Sequence, residues 1–126
     1  MSDKKLDSVF GPEGLLAKFH DSYEFRGGQQ LMADAVANAL TKKRHLIVEA
    51  GTGTGKTLAY LIPAVAAALE KKMKVVISTG TKNLQEQLMD KDVPFLQNVL
   101  PTKFSAAYMK GRSNYACLYR IAKSDH

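Results

Sequence analysis

Ala50-Gly-Thr-Gly-Thr-Gly-Lys-Thr57 is the segment on which the predicted architecture of this 126-residue chain depends. It matches the phosphate-binding loop GxxxxGK[ST], except that Ala50 replaces the usual first glycine. An apolar run, residues 45–49, precedes the segment and a helical pattern follows it, which is the context that the motif requires. The alternative is an ordinary Gly-Thr turn between a strand and a helix. The combination of strand, spacing, lysine and threonine favours the phosphate loop.

The residue types of this loop each have a chemical purpose. Glycines at positions 51, 53 and 55 allow the backbone N–H groups to turn inward and form an anion-binding nest at a helix N-terminus. Lys56 would reach the β- and γ-phosphates of ATP, and the Thr57 hydroxyl would bind Mg²⁺. We therefore predict Lys56 and Thr57 as catalytic residues, with Thr57 also the Mg²⁺ ligand. The loop residues predicted to bind the nucleotide are Gly51, Thr52, Gly53, Thr54, Gly55, Lys56 and Thr57.

Strand-like and helix-like patterns alternate along the chain. The short apolar runs predicted as strands are residues 45–49, 75–78 and 104–108. The predicted helices cover residues 29–40, 56–70, about 81–91 and a last segment from 115. Thr81 is the predicted N-cap of the third helix, and the second is expected to continue through Pro63 with a kink. This alternation predicts an α/β fold, a parallel sheet with helices on both faces.

Charge is distributed unevenly along the chain, which has 18 Lys and Arg against 12 Asp and Glu. Residues 1–63 carry eight basic and seven acidic side chains and residues 64–126 carry ten and five, so the halves have net charges of +1 and +5. An acidic partner such as nucleic acid would prefer the C-terminal half. Charge alone does not distinguish that partner from a solvated surface rich in lysine.

Composition restricts the class of protein and its location. The chain is 45% apolar and 24% charged, which is typical of globular proteins and excludes a mainly disordered or collagen-like chain. Its longest apolar run, residues 58–69, has twelve residues, whereas a bilayer span needs about 20. No secretory signal is visible, and the single cysteine cannot form an internal disulfide. We therefore expect a cytoplasmic protein with no membrane contact.

Two flanking segments add polar chemistry. Tyr23-Glu-Phe-Arg-Gly-Gly-Gln29 ends in a glutamine whose amide can donate and accept at once, so it can pair with the edge of adenine. Taken alone, Gln29 is better explained as a polar residue at a helix start. Ser78-Thr-Gly-Thr-Lys-Asn-Leu-Gln-Glu-Gln-Leu88 follows the second predicted strand, where ligands bind in open α/β sheets. Its hydroxyls and amides suit a nucleic-acid backbone or, alternatively, helix capping by Thr79 or Thr81.

Together with Lys-Asp-Val-Pro at 91–94 and Lys-Gly-Arg-Ser-Asn-Tyr-x-Cys at 110–117, these segments resemble the N-terminus of DinG/YoaA-type helicases, bacterial relatives of XPD in helicase superfamily 2. The resemblance runs from about residue 11 to 120 and implies a partial RecA-like phosphate-loop domain. It implies that residues 1–126 are the N-terminal part of the first motor domain, with a Q-like motif, Walker A, motif Ia and the start of an iron–sulfur insertion near 110–126. It also implies ATP-dependent 5′→3′ DNA unwinding and a 4Fe-4S cluster in the full-length protein.

The resemblance implies roles for individual residues. Gln29 would recognise adenine, with Phe25 and Arg26 beside it. The residues that would contact single-stranded or forked DNA are Thr79, Thr81, Gln85, Arg112 and Tyr115. Cys117 matches the first cluster ligand, although outside this motif a lone cysteine is usually a small buried apolar residue.

The chain also departs from the family pattern. No apolar run ends in Asp-Glu, the pair that would organise Mg²⁺ and the attacking water, and Cys117 is the only cysteine. We therefore expect this chain alone to bind nucleotide and single-stranded DNA without hydrolysing ATP or unwinding DNA. We also expect its sheet to be incomplete, with exposed edges. Two alternatives stay open: a non-helicase phosphate-loop ATPase or kinase, and a non-enzymatic fragment that binds DNA or protein.

Overall fold

The computed structural model describes residues 3–19 and 22–124, and within these ranges all regular secondary structure is helical. The α-helices are α1 (Asp3–Phe10), α2 (Leu15–Phe19), α3 (Gly27–Lys42), α4 (Lys56–Lys71), α5 (Lys82–Gln87), α6 (Val93–Val99) and α7 (Leu118–Ser124). A π-helical turn, Leu88–Asp92, joins α5 to α6, and a 3₁₀ turn, Arg112–Asn114, precedes α7. Within the same ranges, no helix combines the length and apolar character that a membrane span requires.

The predicted α/β fold with a RecA-like parallel sheet is wrong for the described residues. The runs at 45–49, 75–78 and 104–108 lie in irregular backbone and exchange no backbone hydrogen bonds with one another. Strand-like composition shows that side chains suit a half-buried pleated surface, but a strand also needs a partner for its N–H and C=O groups. At the start of the third run and directly after its end, glutamine side chains bind carbonyl groups instead. Gln97 donates to the Phe104 carbonyl at 3.0 Å, and Gln85 donates to the Met109 carbonyl at 2.9 Å.

The strand-like runs therefore expose apolar side chains. Ile47 is 98% exposed and Val76 is 90% exposed. Segments 73–79 and 103–109 together line an open cavity of about 690 Å³ against one side of α4. A β-branched side chain gains burial in a sheet only when a second layer covers it, and at positions 47 and 76 nothing described does so.

The hydrophobic core lies between α3 and α4 and extends to the N-terminal helices and α6. The side chains buried there include Leu6, Phe10, Leu16, Ala33, Ala37, Ala59, Ile62 and Leu96. Alanines on the facing sides of α3 and α4 allow close packing of the two helices, because they leave little side-chain volume between the backbones. The Tyr23 hydroxyl donates to the Phe10 carbonyl at 2.6 Å and so ties α1 to the segment before α3.

The helix predictions were more accurate than the strand predictions. The helix predicted over 56–70 continues through Pro63, as expected, and the Thr81 hydroxyl caps α5 by accepting from the Leu84 N–H at 3.2 Å. The third predicted helix changes to a π-helical turn at Leu88, and the last helix begins at Leu118 rather than at Tyr115. The helices together form a scaffold that holds the phosphate loop, residues 50–57, at the N-terminus of the apolar helix α4.

Candidate functional site

The phosphate loop has the backbone that its glycines were predicted to allow. Gly53 has φ +80° and Gly55 has φ +77°, both in the left-handed region that L side chains rarely adopt. Gly55 is the N-cap of α4, so Lys56 and Thr57 begin the helix. The first N–H groups of a helix have no intrahelical acceptor, and they are therefore available to an anion at this position.

Two side chains bind carbonyl groups within the loop itself. The Lys56 ammonium donates to the Ala50 carbonyl at 2.7 Å, and the Thr54 hydroxyl donates to the Gly51 carbonyl at 2.7 Å. The Lys56 bond closes the two ends of the loop against each other and leaves the side chain exposed to solvent. A phosphate that enters the loop would compete with a neutral carbonyl for this ammonium, and a charged acceptor makes the stronger hydrogen bond.

The start of α3 contacts the outer side of the phosphate loop. Gln29 is only 4% exposed, and its side-chain amide donates to the Gly55 carbonyl at 3.1 Å. Arg26 donates to the Gly53 carbonyl and pairs with Glu24 at 3.7 Å. Phe25 is 44% exposed. Two of the three residues implied to recognise adenine, Arg26 and Gln29, thus bond directly to the loop backbone.

The predicted Mg²⁺ ligand, Thr57, faces a polar cluster on the inner side of α4. Burial raises the pKa of the Tyr60 hydroxyl. A hydrogen bond with the Thr57 side chain lowers this pKa, and the negative charge of Asp92 raises it further. Burial also raises the pKa of Asp92, against the effect of nearby Lys91. Among the described residues, nothing donates a hydrogen bond to Asp92 Oδ2, which is fully buried. The cluster therefore links the start of α4 to the π-helical turn.

A second polar site, here called the polar cleft, lies where the second and third apolar runs end. It is a cavity of about 390 Å³ lined by residues 76–82, Gln85, 109–111 and Asn114. Thr79 and Thr81 both line it, and the Thr79 hydroxyl donates to the Thr81 carbonyl at 3.3 Å. Three of the predicted DNA-contacting residues, Thr79, Thr81 and Gln85, are thus brought together around one opening.

An ion pair spans one side of the polar cleft. Lys110 Nζ lies 2.8 Å from Glu86 Oε1, which ties α5 to the loop before the 3₁₀ turn. This hydrogen bond raises the pKa of Lys110 and lowers the pKa of Glu86, so both groups remain charged around neutral pH. The Lys110 N–H also donates to the Tyr115 hydroxyl at 2.9 Å, which places Tyr115 next to the cleft.

The remaining predicted residues lie outside these two sites. Arg112 is exposed on the 3₁₀ turn and does not line the polar cleft. Cys117 is an exposed free thiol, and no group of three or more His, Cys, Asp or Glu in the described residues could hold a metal ion. A 4Fe-4S cluster needs four thiolate ligands, so the residues of this chain do not fit one.

Sequence reasoning missed the basic and amide side chains that line the polar cleft beside the threonines, namely Lys82, Lys110 and Asn114. Two of them belong to the Lys110-Gly-Arg-Ser-Asn114 segment, in which only Arg112 was predicted to contact DNA. The partners Glu86 and Lys110 are separated by 24 positions, and no local pattern predicts such a pair.

Comparison with known proteins identifies the family. The DEAD/DEAH box helicase family matches residues 30–125, which includes the phosphate loop and the polar cleft. The chain belongs to the DEAD/DEAH box helicase family. Within it, the chain is 50% identical over 112 residues to a protein of Escherichia coli named ATP-dependent DNA helicase YoaA, covering 89% of the chain and 17% of that relative.

Two further relatives match most of the chain. The chain is 52% identical over 103 residues to ATP-dependent helicase DinG of Mycobacterium tuberculosis, covering 79% of the chain and 16% of the relative. It is 41% identical over 116 residues to 3'-5' exonuclease DinG of Bacillus subtilis, covering 92% of the chain and 12% of the relative. The predicted resemblance to DinG/YoaA-type helicases is confirmed. The chain spans less than a fifth of the length of each of these relatives.

Proposed function

We propose that this chain is the nucleotide-binding and DNA-contacting part of the first motor domain of an ATP-dependent 5′→3′ DNA helicase. The observation that carries the proposal is the phosphate loop at the start of α4, with two glycines at positive φ and Lys56 at its mouth. The family match favours this function over a phosphate-loop kinase. The names of the relatives support DNA as the substrate and ATP as the energy source.

In this proposal the loop binds the triphosphate of ATP. Backbone N–H groups and the Lys56 ammonium would contact phosphate oxygens, and the Thr57 hydroxyl, at the first turn of α4, would ligate Mg²⁺. Mg²⁺ would neutralise charge on the phosphates when bound. Phe25 and Arg26 are exposed, and in this proposal they would contact the base or ribose.

Titration calorimetry with ATP–Mg²⁺ tests this site. We expect weak binding that is lost in Lys56→Ala, because the variant removes the side-chain cation of the loop. Lys42→Ala removes an exposed lysine at the far end of α3 and is the matched control. Equal affinities of the chain and Lys56→Ala would contradict the proposal.

We propose further that the polar cleft contacts the phosphates of single-stranded DNA. Thr79, Thr81 and Gln85 offer hydroxyl and amide groups, and Lys110 adds a cation at the same opening. Hydroxyls, amides and exposed N–H groups are typical contacts to a nucleic-acid backbone. Arg112 and Tyr115 lie on the adjoining turn and would extend the path of the strand.

We do not expect this chain alone to hydrolyse ATP. Phosphoryl transfer is catalysed mainly by positioning and charge stabilisation, and the sequence has no apolar run ending in the Asp-Glu pair that would organise Mg²⁺ and water. A phosphate-release assay should therefore show no DNA-stimulated turnover. Turnover that disappears in Lys56→Ala would show that the catalytic groups have been assigned wrongly.

In the full-length protein, which we place in the cytoplasm, Cys117 would supply one of the four ligands of a 4Fe-4S cluster.

A further inference from the structure

The start of α3 and its N-cap, Arg26, contact the phosphate loop. Arg26 bonds to the Gly53 carbonyl and Gln29 to the Gly55 carbonyl. Between them, a Cβ on Gly28 would lie 3.6 Å from the Thr54 methyl group, in van der Waals contact. Positions 26, 28 and 29 thus lie next to loop positions 53, 54 and 55.

The two bonded carbonyls control the direction of two loop N–H groups. A trans peptide is planar, so its N–H points opposite to its C=O. Because Gln29 draws the Gly55 carbonyl toward α3, the N–H of Lys56 points away from α3. The Arg26 bond orients the N–H of Thr54 in the same way. Both N–H groups therefore point away from α3, on the side of the peptide opposite to the bonded carbonyl.

The side-chain amide of Gln29 is restricted to its position next to the Gly55 peptide. Its side chain is buried beneath the loop, at 4% exposure, and a Cβ on Gly55 would lie only 3.0 Å from its Cδ atom. The Gly55 carbonyl that it binds also accepts the Ala59 N–H at 3.2 Å, the first hydrogen bond of α4. The amide is thus fixed between the core and the peptide that begins the helix.

We propose that Gln29 is a positioning residue for phosphate binding: it holds the Gly55 peptide so that the loop presents its N–H groups to a polyphosphate, whatever base is attached. This inference rests on the proposed nucleotide site and deepens it. It predicts that Gln29 affects affinity for the triphosphate itself. A residue that reads adenine would instead affect only the difference between ATP and other nucleotides.

Calorimetry with three Mg²⁺-loaded probes, ATP, GTP and inorganic tripolyphosphate, separates these roles. Gln29→Met keeps the length and burial of the side chain but removes its donor, and we expect about tenfold weaker binding of all three probes, the equivalent of one hydrogen bond. Gln30→Met is the matched control, because the Gln30 amide donates to the Asp7 carboxylate and not to the loop. This control should bind all three probes as the unmodified chain does.

The other outcomes are distinguishable. Weaker binding of ATP alone would overturn the inference in favour of adenine recognition, and unchanged binding of all three probes would overturn it outright. An unmodified chain that binds none of the probes would refute the proposed function first, and this inference with it. If circular dichroism shows that Gln29→Met loses helix, the Gln29→Asn variant replaces it, because its shorter amide would not reach the Gly55 carbonyl. It predicts the same parallel loss, and a loss confined to ATP would contradict the inference.

Discussion

Placing alanine at each of the two positive-φ glycines of the phosphate loop measures how tightly α3 holds the loop. Gly53 and Gly55 have almost the same backbone, at φ +80° and +77°, but a Cβ on Gly53 meets nothing within 4 Å. A Cβ on Gly55 collides with the Gln29 amide, whose Cδ lies 3.0 Å away. The two substitutions therefore share the backbone cost and differ in the contact with Gln29.

The expected magnitudes follow from these two contributions. An L residue in the left-handed region costs about 1–2 kcal/mol, and the stiffer unfolded chain of an alanine variant offsets about 0.4–1 kcal/mol of this. Gly53→Ala should therefore lower the free energy of unfolding by about 1 kcal/mol. Gly55→Ala should lower it by about 2–4 kcal/mol, because displacing Gln29 also breaks a buried hydrogen bond worth about 1–3 kcal/mol.

Urea unfolding followed by far-UV circular dichroism measures both values, and the double variant Gln29→Ala/Gly55→Ala tests the cause. With the glutamine removed there is nothing to displace, so Gln29→Ala should cost less in the Gly55→Ala background than in the unmodified chain. Equal losses for Gly53→Ala and Gly55→Ala, or strict additivity in the double variant, would refute the reasoning.

Three further predictions concern other parts of the molecule. Lys72 is the C-cap of α4 and has φ +49°, so Lys72→Gly should raise the free energy of unfolding by about 0.5–1 kcal/mol. Lys42→Gly, within α3, should lower the free energy of unfolding. A gain in both variants would contradict the backbone explanation. Asp92→Asn should stabilise the chain at pH 7 by about 1 kcal/mol. Burial raises the Asp92 pKa. The stability that the carboxyl group contributes is therefore fully present below the unfolded pKa of about 3.9 and is lost as pH rises through the folded pKa. If urea unfolding shows that the Asp92→Asn variant keeps its full advantage at about pH 3, this explanation is wrong. Single-stranded DNA should bind roughly 20-fold more weakly when salt rises from about 50 to 200 mM, for about three phosphate contacts. An affinity measured by fluorescence anisotropy that does not change with salt would exclude a phosphate-dominated mode.

The sequence was most informative where one residue determines local geometry. Glycines at 53 and 55 were expected to permit a turn that other residues resist, and both lie at positive φ. Thr81 was expected to cap a helix, and its hydroxyl accepts the Leu84 N–H. In each case the physical cause acts within a few positions along the chain, so it can be recognised without knowledge of the tertiary structure.

The predicted sheet failed for the opposite reason. A strand depends on a partner segment whose identity is not encoded in the strand itself, and the runs at 45–49 and 75–78 show only that their side chains suit such a partner. The helix at 56–70 needed no partner for its backbone, since its hydrogen bonds close within the helix, and it formed where predicted. Apolar composition therefore predicted helices correctly and strands incorrectly in the same chain.

The contacts that hold the phosphate loop depend both on the local sequence motif and on the packing of distant segments. The motif reports the residues that a phosphate would meet, but Gln29 lies 26 positions away from the Gly55 carbonyl that it holds. Its chemistry as a donor and acceptor suggested a base contact, which needs an exposed amide, whereas the packing of α3 on α4 buries that amide under the loop. An amide can satisfy either role, and its burial is a property of the packed helices and not of the motif. The same glutamine can thus mark a nucleotide site in the sequence while it acts on the loop backbone in the structure.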